Sequence, residues 1–228
     1  MARSQLLKDI VNGKESIESI LLRLKVILSD LDNEPIMNWI NGELQGYKEV
    51  DEVPSYRILK GRPVGTYVVN FQFQYTDAQV PLEALISGET IDKLVVLNVT
   101  DSVVIIQNIL NGENGNNYVK PISTTFCHSI SRAELQVASM RIQFSSNQLD
   151  GIISNVKTKL VEIVMELEKR FDNLDDLDIR NQVEGFSSKK EKVIYNIEKI
   201  IYDQSIQVGD KNKFNKTILG HLFGGGKQ

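Results

Sequence analysis

Cysteine, histidine and long apolar runs are scarce in this chain of 228 residues, and each scarcity narrows the range of functions. The single cysteine, Cys127, cannot form a disulfide within the chain or a multi-cysteine zinc site. The two histidines, His128 and His221, are far apart in the sequence, which argues against a histidine-rich metal centre. No apolar run approaches the roughly 18 residues of a membrane-spanning helix, and the N-terminus lacks the uninterrupted apolar core of a secretion signal. We therefore expect a cytoplasmic protein that binds no metal, no cofactor and no membrane.

Charge is abundant but unevenly distributed. Residues 185–228 contain eight lysines and four acids, a net charge of +4, whereas residues 1–184 contain 18 basic and 26 acidic residues, a net charge of −8. A basic segment on an acidic body can bind a polyanion or dock onto the body of a neighbouring copy. The lysines can also simply keep the segment soluble. The composition is otherwise that of an ordinary soluble globular protein, with 41% hydrophobic residues.

Two amphipathic helices are predicted near the N-terminus. Apolar side chains recur at three- and four-residue steps from Ile17 to Leu31, which places them on one stripe of a helix. The next helix is expected to begin after a cap at Asp32 or Asn33 and to end at Gly46. The link between the two is too short for anything other than a helical hairpin.

The central part of the chain predicts short strands and helical turns. Residues 56–60 and the alternating run at 66–75 are expected to pair as antiparallel strands. The side chains on the half-buried face of this run are Val69, Phe71, Phe73 and Tyr75. The elements expected after it are a helical turn at 81–86, a strand or helix entry at 93–99, a short helix at 102–110, a flexible loop at 111–117 and a strand at 134–145.

A long amphipathic helix is the clearest element of the sequence. Ser145 and Gln148 fit a capping box, and an apolar stripe continues for about six turns, from Leu149 to Phe171. Residues 193–202 suit either a helix or a strand, and residues 205–219 predict a hairpin around a Gly-Asp turn.

These patterns together predict an α+β fold. It consists of an N-terminal helical hairpin, a small antiparallel sheet and one long amphipathic helix, followed by a linker and a β-rich C-terminal tail. The corresponding division is a domain over residues 1–171, an acidic, solvated linker over residues 172–188, and a basic β-rich tail over residues 189–228 that can serve oligomerisation.

No set of residues has the spacing of a known catalytic centre. Cys127 and His128 are adjacent, but in a strand their side chains would point to opposite faces. Glu162 and Glu166, one turn apart on the long helix, are expected on its solvated surface. The glycines at 224–226 lack the flanking strand and helix of a phosphate-binding loop. We therefore predict no catalytic site and no enzymatic activity.

Nucleic-acid binding has only weak support, because the acidic body would repel phosphates and no basic-aromatic recognition motif is present. The tail offers three lysines interleaved with one aromatic residue: Lys211, Lys213, Phe214 and Lys216. Such a set supports modest, salt-sensitive and non-specific affinity at most.

One stretch has a family pattern. The letters W-x-x-x-E-L-x-G-Y and then P-x-Y-R are met at Trp39, Glu43, Leu44, Gly46, Tyr47, Pro54, Tyr56 and Arg57. The long helix has a matching pattern from Leu149 to Glu168, with Lys157 where arginine is usual. Over about residues 3–171 the chain resembles the AbiTii family, and the two ends of this region carry the specific motifs.

The resemblance implies a role in abortive infection, which is bacterial defence against bacteriophage, and implies no catalytic residues. It also favours the hairpin for the tail. The motif residues Trp39, Glu43, Tyr47, Tyr56 and Arg57 are candidates for a binding surface. Alternatively they are core anchors, with Glu43 pairing with Arg57 where the strand enters beside the helix, and the glycine before Tyr47 permitting the turn.

Three hypotheses for function follow. The first is a non-enzymatic antiphage protein that acts as a homo-oligomer or by binding a phage or host protein, and deletion of residues 185–228 is then expected to lower the oligomer size. The second is a toxic effector enzyme, such as a nuclease, with an unrecognised site. The third is a sensor that binds phage nucleic acid through the tail.

Overall fold

Helices and short strands alternate along the chain. The structure, a computed structural model, describes residues 3–49, 53–112, 118–183 and 187–202. The helices in these ranges are α1 (Gln5–Asn12), α2 (Ile17–Ser29), α3 (Glu34–Gln45), α4 (Gly88–Val95), α5 (Val103–Asn111), α6 (Thr124–Ile130), α7 (Ser146–Glu168), α8 (Arg180–Val183) and α9 (Ser187–Tyr202). The strands are β1 (Ile58–Lys60), β2 (Arg62–Val69), β3 (Phe73–Gln79), β4 (Val96–Asn98), β5 (Tyr118–Ile122) and β6 (Leu135–Phe144). The predicted α+β fold is confirmed.

The N-terminal helices form where the local sequence signals indicate. Side chains of Ser16 and Asn33 cap α2 and α3 by accepting hydrogen bonds from backbone N–H groups in the first turn. The apolar stripe of α2 is buried, and α2 packs against α3 as the predicted helical hairpin. The short helix α1, which the sequence also predicts around residues 5–11, precedes them and packs on α7.

The strands form two antiparallel sheets, and their pairing differs from the prediction. One sheet has the strand order β3-β2-β6-β5, and the other consists of β1 and β4. Residues 56–60 were expected to pair with the run at 66–75, but β1 pairs with β4 instead, in the register Ile58↔Asn98. The prediction missed this partner because β4 is only three residues long and directly follows a helix.

The alternating run at 66–75 is not a single strand. It contains the end of β2, a reversal at residues 70–72 and the start of β3. Asn70 and Phe71 both have positive φ, 51° and 59°, and turn the chain without a glycine. The expected half-buried face is therefore wrong, because Phe71, Phe73 and Tyr75 are exposed.

The long helix α7 is the centre of the larger hydrophobic core. Its capping box at Ser145 and Gln148 is present, as predicted. Its apolar stripe packs against α1, α5 and α9. A smaller core lies under the four-stranded sheet and includes Tyr67, Val137 and the buried Cys127.

The segment predicted as a solvated linker contributes to the larger core. Leu174, Ile179 and Val183 are at most 8% exposed, because a 3-10 turn at Leu174–Asp176 and the short helix α8 direct them inward. Residues 172–183 are thus part of the fold rather than a linker.

The first part of the predicted tail, residues 189–202, is helical rather than β structure. Residues 187–202 form α9, whose Val193, Ile197 and Ile201 are buried. The helical alternative for residues 193–202 is therefore correct, and the β-rich assignment is wrong for this part. The predicted hairpin at 205–219, the terminal glycines and most of the predicted loop at 111–117 lie outside the described residues.

The other short elements that were predicted agree with expectation, whereas β5 and α6 were not predicted. The helical turn at 81–86 contains a 3-10 turn at Leu82–Ala84, and the expected helix at 102–110 is α5, which Ser102 caps. Residues 93–99 contain both expected alternatives, the end of α4 and then β4. In the described parts of the chain, no helix is long and apolar enough to cross a membrane.

Candidate functional site

The motif residues meet where α3 lies beside the chain entering β1. Trp39 and Glu43 are one turn apart on α3, so their side chains share a face. Tyr47 follows the end of α3, and Tyr56 and Arg57 lie in a 3-10 turn directly before β1. Trp39, Glu43 and Arg57 are at most 1% exposed, and the two tyrosines are half-buried. Sequence reasoning grouped these five residues, and the structure brings them together in the interior.

Glu43 and Arg57 form a buried ion pair. Arg57 Nε donates a hydrogen bond to Glu43 Oε1 at 2.9 Å, and Arg57 Nη2 donates to Glu43 Oε2 at 2.5 Å. Two N–H groups thus meet two carboxylate oxygens side by side, the strong geometry for this pair. Arg57 Nη1 donates to the carbonyl oxygens of Val99 at 3.1 Å and Asp101 at 2.7 Å. The pair therefore fastens α3 to the segment between β4 and α5.

Three aromatic side chains complete the surroundings of Glu43. Its Oε1 accepts hydrogen bonds from Tyr47 Oη at 2.8 Å and Tyr56 Oη at 2.7 Å. Trp39 Nε1 donates to Tyr56 Oη at 2.8 Å. The guanidinium carbon of Arg57 lies 5.0 Å from the centroid of the Tyr47 ring, within cation–π range. We refer to these five residues as the Glu43–Arg57 network.

Two glycines near Tyr47, Gly42 at a variable letter and Gly46 at a fixed letter of the motif, permit close packing. A Cβ atom on Gly42 would collide with the Tyr47 ring. Gly46 has a φ of +93°, a conformation that L side chains rarely adopt, and a Cβ there would lie 2.9 Å from the Thr100 carbonyl oxygen. The Tyr47 N–H donates to that same oxygen at 2.8 Å. Gly46 therefore ends α3 and turns the chain toward Tyr47, as the sequence predicts.

The geometry of the network is that of an internal clamp. Both side chains of the ion pair are fully buried, and the two tyrosine hydroxyls point at Glu43 rather than at solvent. A buried ion pair of this kind is stable only when further hydrogen bonds compensate its desolvation, and the tyrosines and backbone carbonyls supply them. The contacts expected for core anchors are therefore present.

The surroundings also set the protonation of the network. The pKa values of Tyr47 and Tyr56 lie well above the ordinary value of 10.0, first because burial disfavours the phenolate and second because the Glu43 carboxylate repels a further negative charge. Burial alone lowers the pKa of Arg57, but the hydrogen bond and the charge of Glu43 outweigh it and raise the pKa. The tyrosines thus remain neutral donors.

The raised tyrosine pKa values predict a loss of stability in alkali. Above the ordinary pKa of 10.0, tyrosines of the unfolded chain ionise while Tyr47 and Tyr56 do not, so rising pH favours the unfolded state. We expect Tyr47→Phe to make the fall in unfolding free energy shallower by about 1.4 kcal/mol per pH unit in this range. Urea titrations at several pH values measure how the free energy of unfolding depends on pH. The control is Tyr195→Phe, at an exposed tyrosine of α9. Equal slopes for the two variants would contradict the prediction.

A second set of buried polar side chains holds α9 against α7. Lys159 is 7% exposed, and its Nζ donates to the Ile200 carbonyl oxygen, in the last turn of α9, at 2.6 Å. A cation at this position complements the negative end of α9. Two turns along α7, Glu166 accepts a hydrogen bond from Asn196 Nδ2 at 2.7 Å. Because Lys159 Nζ also lies 5.3 Å from the centroid of the Tyr56 ring, this contact adjoins the Glu43–Arg57 network.

The carboxylates of α7 differ from their predicted environment. Glu162 is exposed, as expected, but Glu166 is 6% exposed and is not on a solvated surface. The reason is α9, which covers this side of α7. Sequence reasoning also missed Lys159. The available signal is that Lys159 lies between Val156 and Leu160, inside the apolar stripe.

A groove of about 550 Å³ lies on the outer side of α3, next to the network. Its lining includes two lysines and several side-chain amides, and this volume is typical of small-molecule sites. Asn41 contributes a side-chain oxygen that is buried and has no hydrogen-bond partner in the structure. The groove is lined by Lys25, Asn38, Asn41, Gln45 and Lys48, and by Tyr47 of the network. Asn41 and Gln45 occupy variable letters of the motif, so the family pattern gives no signal for them.

The adjacent Cys127 and His128 lie on a helix, not on the strand expected from the sequence. Ser123 accepts a hydrogen bond from the Phe126 N–H and so begins α6. Cys127 is fully buried, and burial raises the pKa of its thiol, whereas His128 is exposed. The tail candidates Lys211, Lys213, Phe214 and Lys216 lie outside the described residues. Within the described ranges, no group of three or more His, Cys, Asp or Glu side chains is placed to hold a metal ion.

The fold and the network define an α+β protein in which a buried ion pair fastens α3 to the segments that flank β1 and β4. A family model for AbiTii matches residues 4–198, and the chain belongs to the AbiTii family. The match extends beyond residue 171 and includes most of α9, in agreement with the helical core. The family name indicates abortive infection, an antiphage defence. No curated protein and no solved structure matches the chain.

Proposed function

We propose that the protein acts in the cytoplasm as a non-enzymatic antiphage protein, by self-assembly or by binding a phage or host protein. The observation that carries this proposal is the position of the motif. The residues that resemble the family signature bind one another in the interior. Their role is therefore to stabilise the fold. A fold of this kind acts through the surfaces and the segment that it presents.

The charge distribution supports assembly through the segment that follows α9. With the boundary at Tyr202, residues 203–228 contain four lysines and two aspartates, a net charge of +2. Residues 1–202 contain 22 basic and 28 acidic residues, a net charge of −6. A basic segment on one copy and an acidic body on the next are electrostatically complementary. The segment starts beside α3, where the Tyr202 hydroxyl donates to the Pro35 carbonyl oxygen at 3.1 Å.

The experiment compares the full chain with a chain that ends at Tyr202. We expect the full chain to form oligomers in light scattering and to protect cells in a phage challenge, and the shortened chain to lose both properties. A variant with Lys211→Glu, Lys213→Glu and Lys216→Glu should behave like the shortened chain, because it reverses the charge of the segment. The matched control is Lys192→Glu, at an exposed lysine of α9.

Three outcomes would overturn the proposal. Unchanged mass and unchanged protection after removal of residues 203–228 would exclude assembly through this segment. Binding of nucleic acid by the full chain, falling steeply between low and physiological salt and lost with the three lysines, would instead support the sensor hypothesis. Metal-dependent cleavage of nucleic acid by the purified protein would support the effector enzyme.

A further inference from the structure

The outer strand of the four-stranded sheet exposes a strip of aromatic side chains. β3 is at the end of the strand order, and none of the described strands pairs with its outer edge. Every residue from Phe73 to Asp77 is exposed. With Phe71 in the preceding turn, the exposed fractions are 70% for Phe71, 58% for Phe73 and 46% for Tyr75. We refer to residues 71–76 as the aromatic edge.

The aromatic edge lacks the features by which proteins protect exposed strands. Residues 71–76 contain no charge, no proline and no glycine, whereas exposed edges ordinarily carry lysine, proline or an irregularity. The opposite edge of the same sheet, β5, contains Lys120 and Pro121. The irregularity in β3 lies at Thr76 and Asp77, which together lie opposite the single residue Thr66 of β2. Asp77 has a φ of 54° and bonds to Arg141, so the regular part of the aromatic edge ends at Tyr75.

The turn before β3 holds an aromatic side chain where glycine is favoured. Asn70 and Phe71 have φ values of 51° and 59°, and the Gln72 N–H donates to the Val69 carbonyl oxygen at 3.1 Å. Turns with two positive φ values strongly prefer Asn-Gly. Asn70 satisfies this preference, but Phe71 is a strained, bulky and largely exposed residue. Strain kept at an exposed position is a pointer to function.

We infer that the aromatic edge pairs antiparallel with the aromatic edge of a second copy, centred on Gln74. The segment alternates with a period of two, so in any such two-fold pairing, residues of equal parity face each other and lie on the same side of the joined sheet. Phe73 of one copy then faces Tyr75 of the other, and Gln74 faces Gln74. Aromatic cross-strand pairs of this kind are stabilising.

The exposed area suits one contact within a larger assembly. At about 200 Å² for each aromatic side chain, the three exposed fractions correspond to about 350 Å² per copy, before the backbone and glutamines are added. Specific interfaces bury about 800 Å² per partner. Pairing of the aromatic edges is therefore weak alone, and it becomes strong when a second contact ties the same copies together. The inference rests on the proposed self-assembly.

The test uses the full chain, and replaces Phe71 and Phe73 without disturbing the core. We expect the double variant F71G/F73T to weaken self-association about tenfold, measured by light scattering over a dilution series, because buried aromatic residues dominate interface energies. Phe71→Gly suits the turn and Phe73→Thr suits a strand, so the thermal unfolding temperature should not fall. The matched control is Val11→Ser on α1, where the exposed fraction is 69%.

A cross-linking variant tests the two-fold register. Across a two-fold centre at residue 74, Cβ atoms lie within about 4.5–5.5 Å of each other, so Gln74→Cys should form a disulfide between copies on mild oxidation. Cys127 is buried and leaves the background low. A double variant that weakens association while Gln74→Cys fails to cross-link would overturn the pairing in favour of another occupant, such as the segment after Tyr202.

The remaining outcomes separate this inference from the proposed function. If F71G/F73T assembles as the full chain does while a chain ending at Tyr202 does not, the pairing is overturned and the proposed function stands. If the chain ending at Tyr202 assembles as the full chain does while F71G/F73T does not, the pairing stands and the role of residues 203–228 in assembly is overturned. A full chain that is monomeric at every concentration overturns self-assembly itself, and the pairing with it.

Discussion

Replacing Arg57 with methionine is expected to lower the free energy of unfolding by about 3–5 kcal/mol, the range measured when one partner of a buried ion pair is removed. Methionine fills much of the same space but leaves the Glu43 carboxylate buried without a cation. The carbonyl oxygens of Val99 and Asp101 lose their donors at the same time. Urea denaturation followed by circular dichroism measures the loss.

Two further variants decide whether the loss comes from the buried charge. Adding Glu43→Leu to Arg57→Met removes both charges and should recover part of the stability. The recovery is incomplete because the hydroxyls of Tyr47 and Tyr56 still lose their acceptor. Lys93→Met breaks an exposed pair with Glu89, with side chains 76% and 81% exposed, and is expected to change stability by less than about 1 kcal/mol. Equal effects of Arg57→Met and Lys93→Met would show that the network contributes little.

Folding is expected to require α9, so two truncations after α7, one before α9 and one after it, should differ in stability. A chain that ends at Val183 lacks α9 and should lose its cooperative thermal transition, whereas a chain that ends at Tyr202 should keep it. Three apolar side chains of α9 are fully buried: Val193, Ile197 and Ile201. Burial of each stabilises by about 1.5–3 kcal/mol, so their joint loss is comparable with the 5–15 kcal/mol stability of a typical domain.

The loss of α9 also uncovers buried polar groups of α7. Lys159 and Glu166 would lose the Ile200 carbonyl and the Asn196 amide, respectively. Ile197→Ala in the full chain provides a milder test, with an expected loss of about 2–5 kcal/mol. If chains ending at Val183 and Tyr202 unfold at the same temperature, α9 is not part of the cooperative core. Deletion of residues 185–228, which the charge division suggests, removes α9 together with the segment beyond it.

The helices were predictable because their signals are local. Apolar spacing and a side-chain cap identify α2, α3 and α7, and each forms within a few residues of its expected bounds. The Glu43–Arg57 pair was also predictable, because Arg57 directly precedes a strand expected to enter beside the helix that carries Glu43. That it is fully buried, and that two tyrosines and a tryptophan complete it, depends on the packing of segments distant in sequence.

The misses have specific physical causes. The run at 66–75 alternates without interruption across the turn, because Asn70 and Phe71 reverse the chain without glycine. The helix α9 has a weak sequence signal because its apolar stripe is short and its partners on α7 are polar as well as apolar. Glu166 has no local signal of burial, and Lys159 has only its place inside the apolar stripe of α7; both are buried beside α9. Such contacts are long-range, and no local pattern encodes them.

The attachment of α9 has a mechanical consequence. Lys159 contacts Ile200 while Glu166 contacts Asn196, so α9 runs antiparallel to α7 and residues 203–228 leave from the end nearest Lys159. A pull along the axis of α9 therefore slides it past α7 and strains these contacts together, as in shear, instead of peeling them apart one by one. Because Lys159 also lies against Tyr56 and Tyr202 bonds to Pro35 on α3, tension on that segment reaches the Glu43–Arg57 network through both the Tyr56 ring and α3.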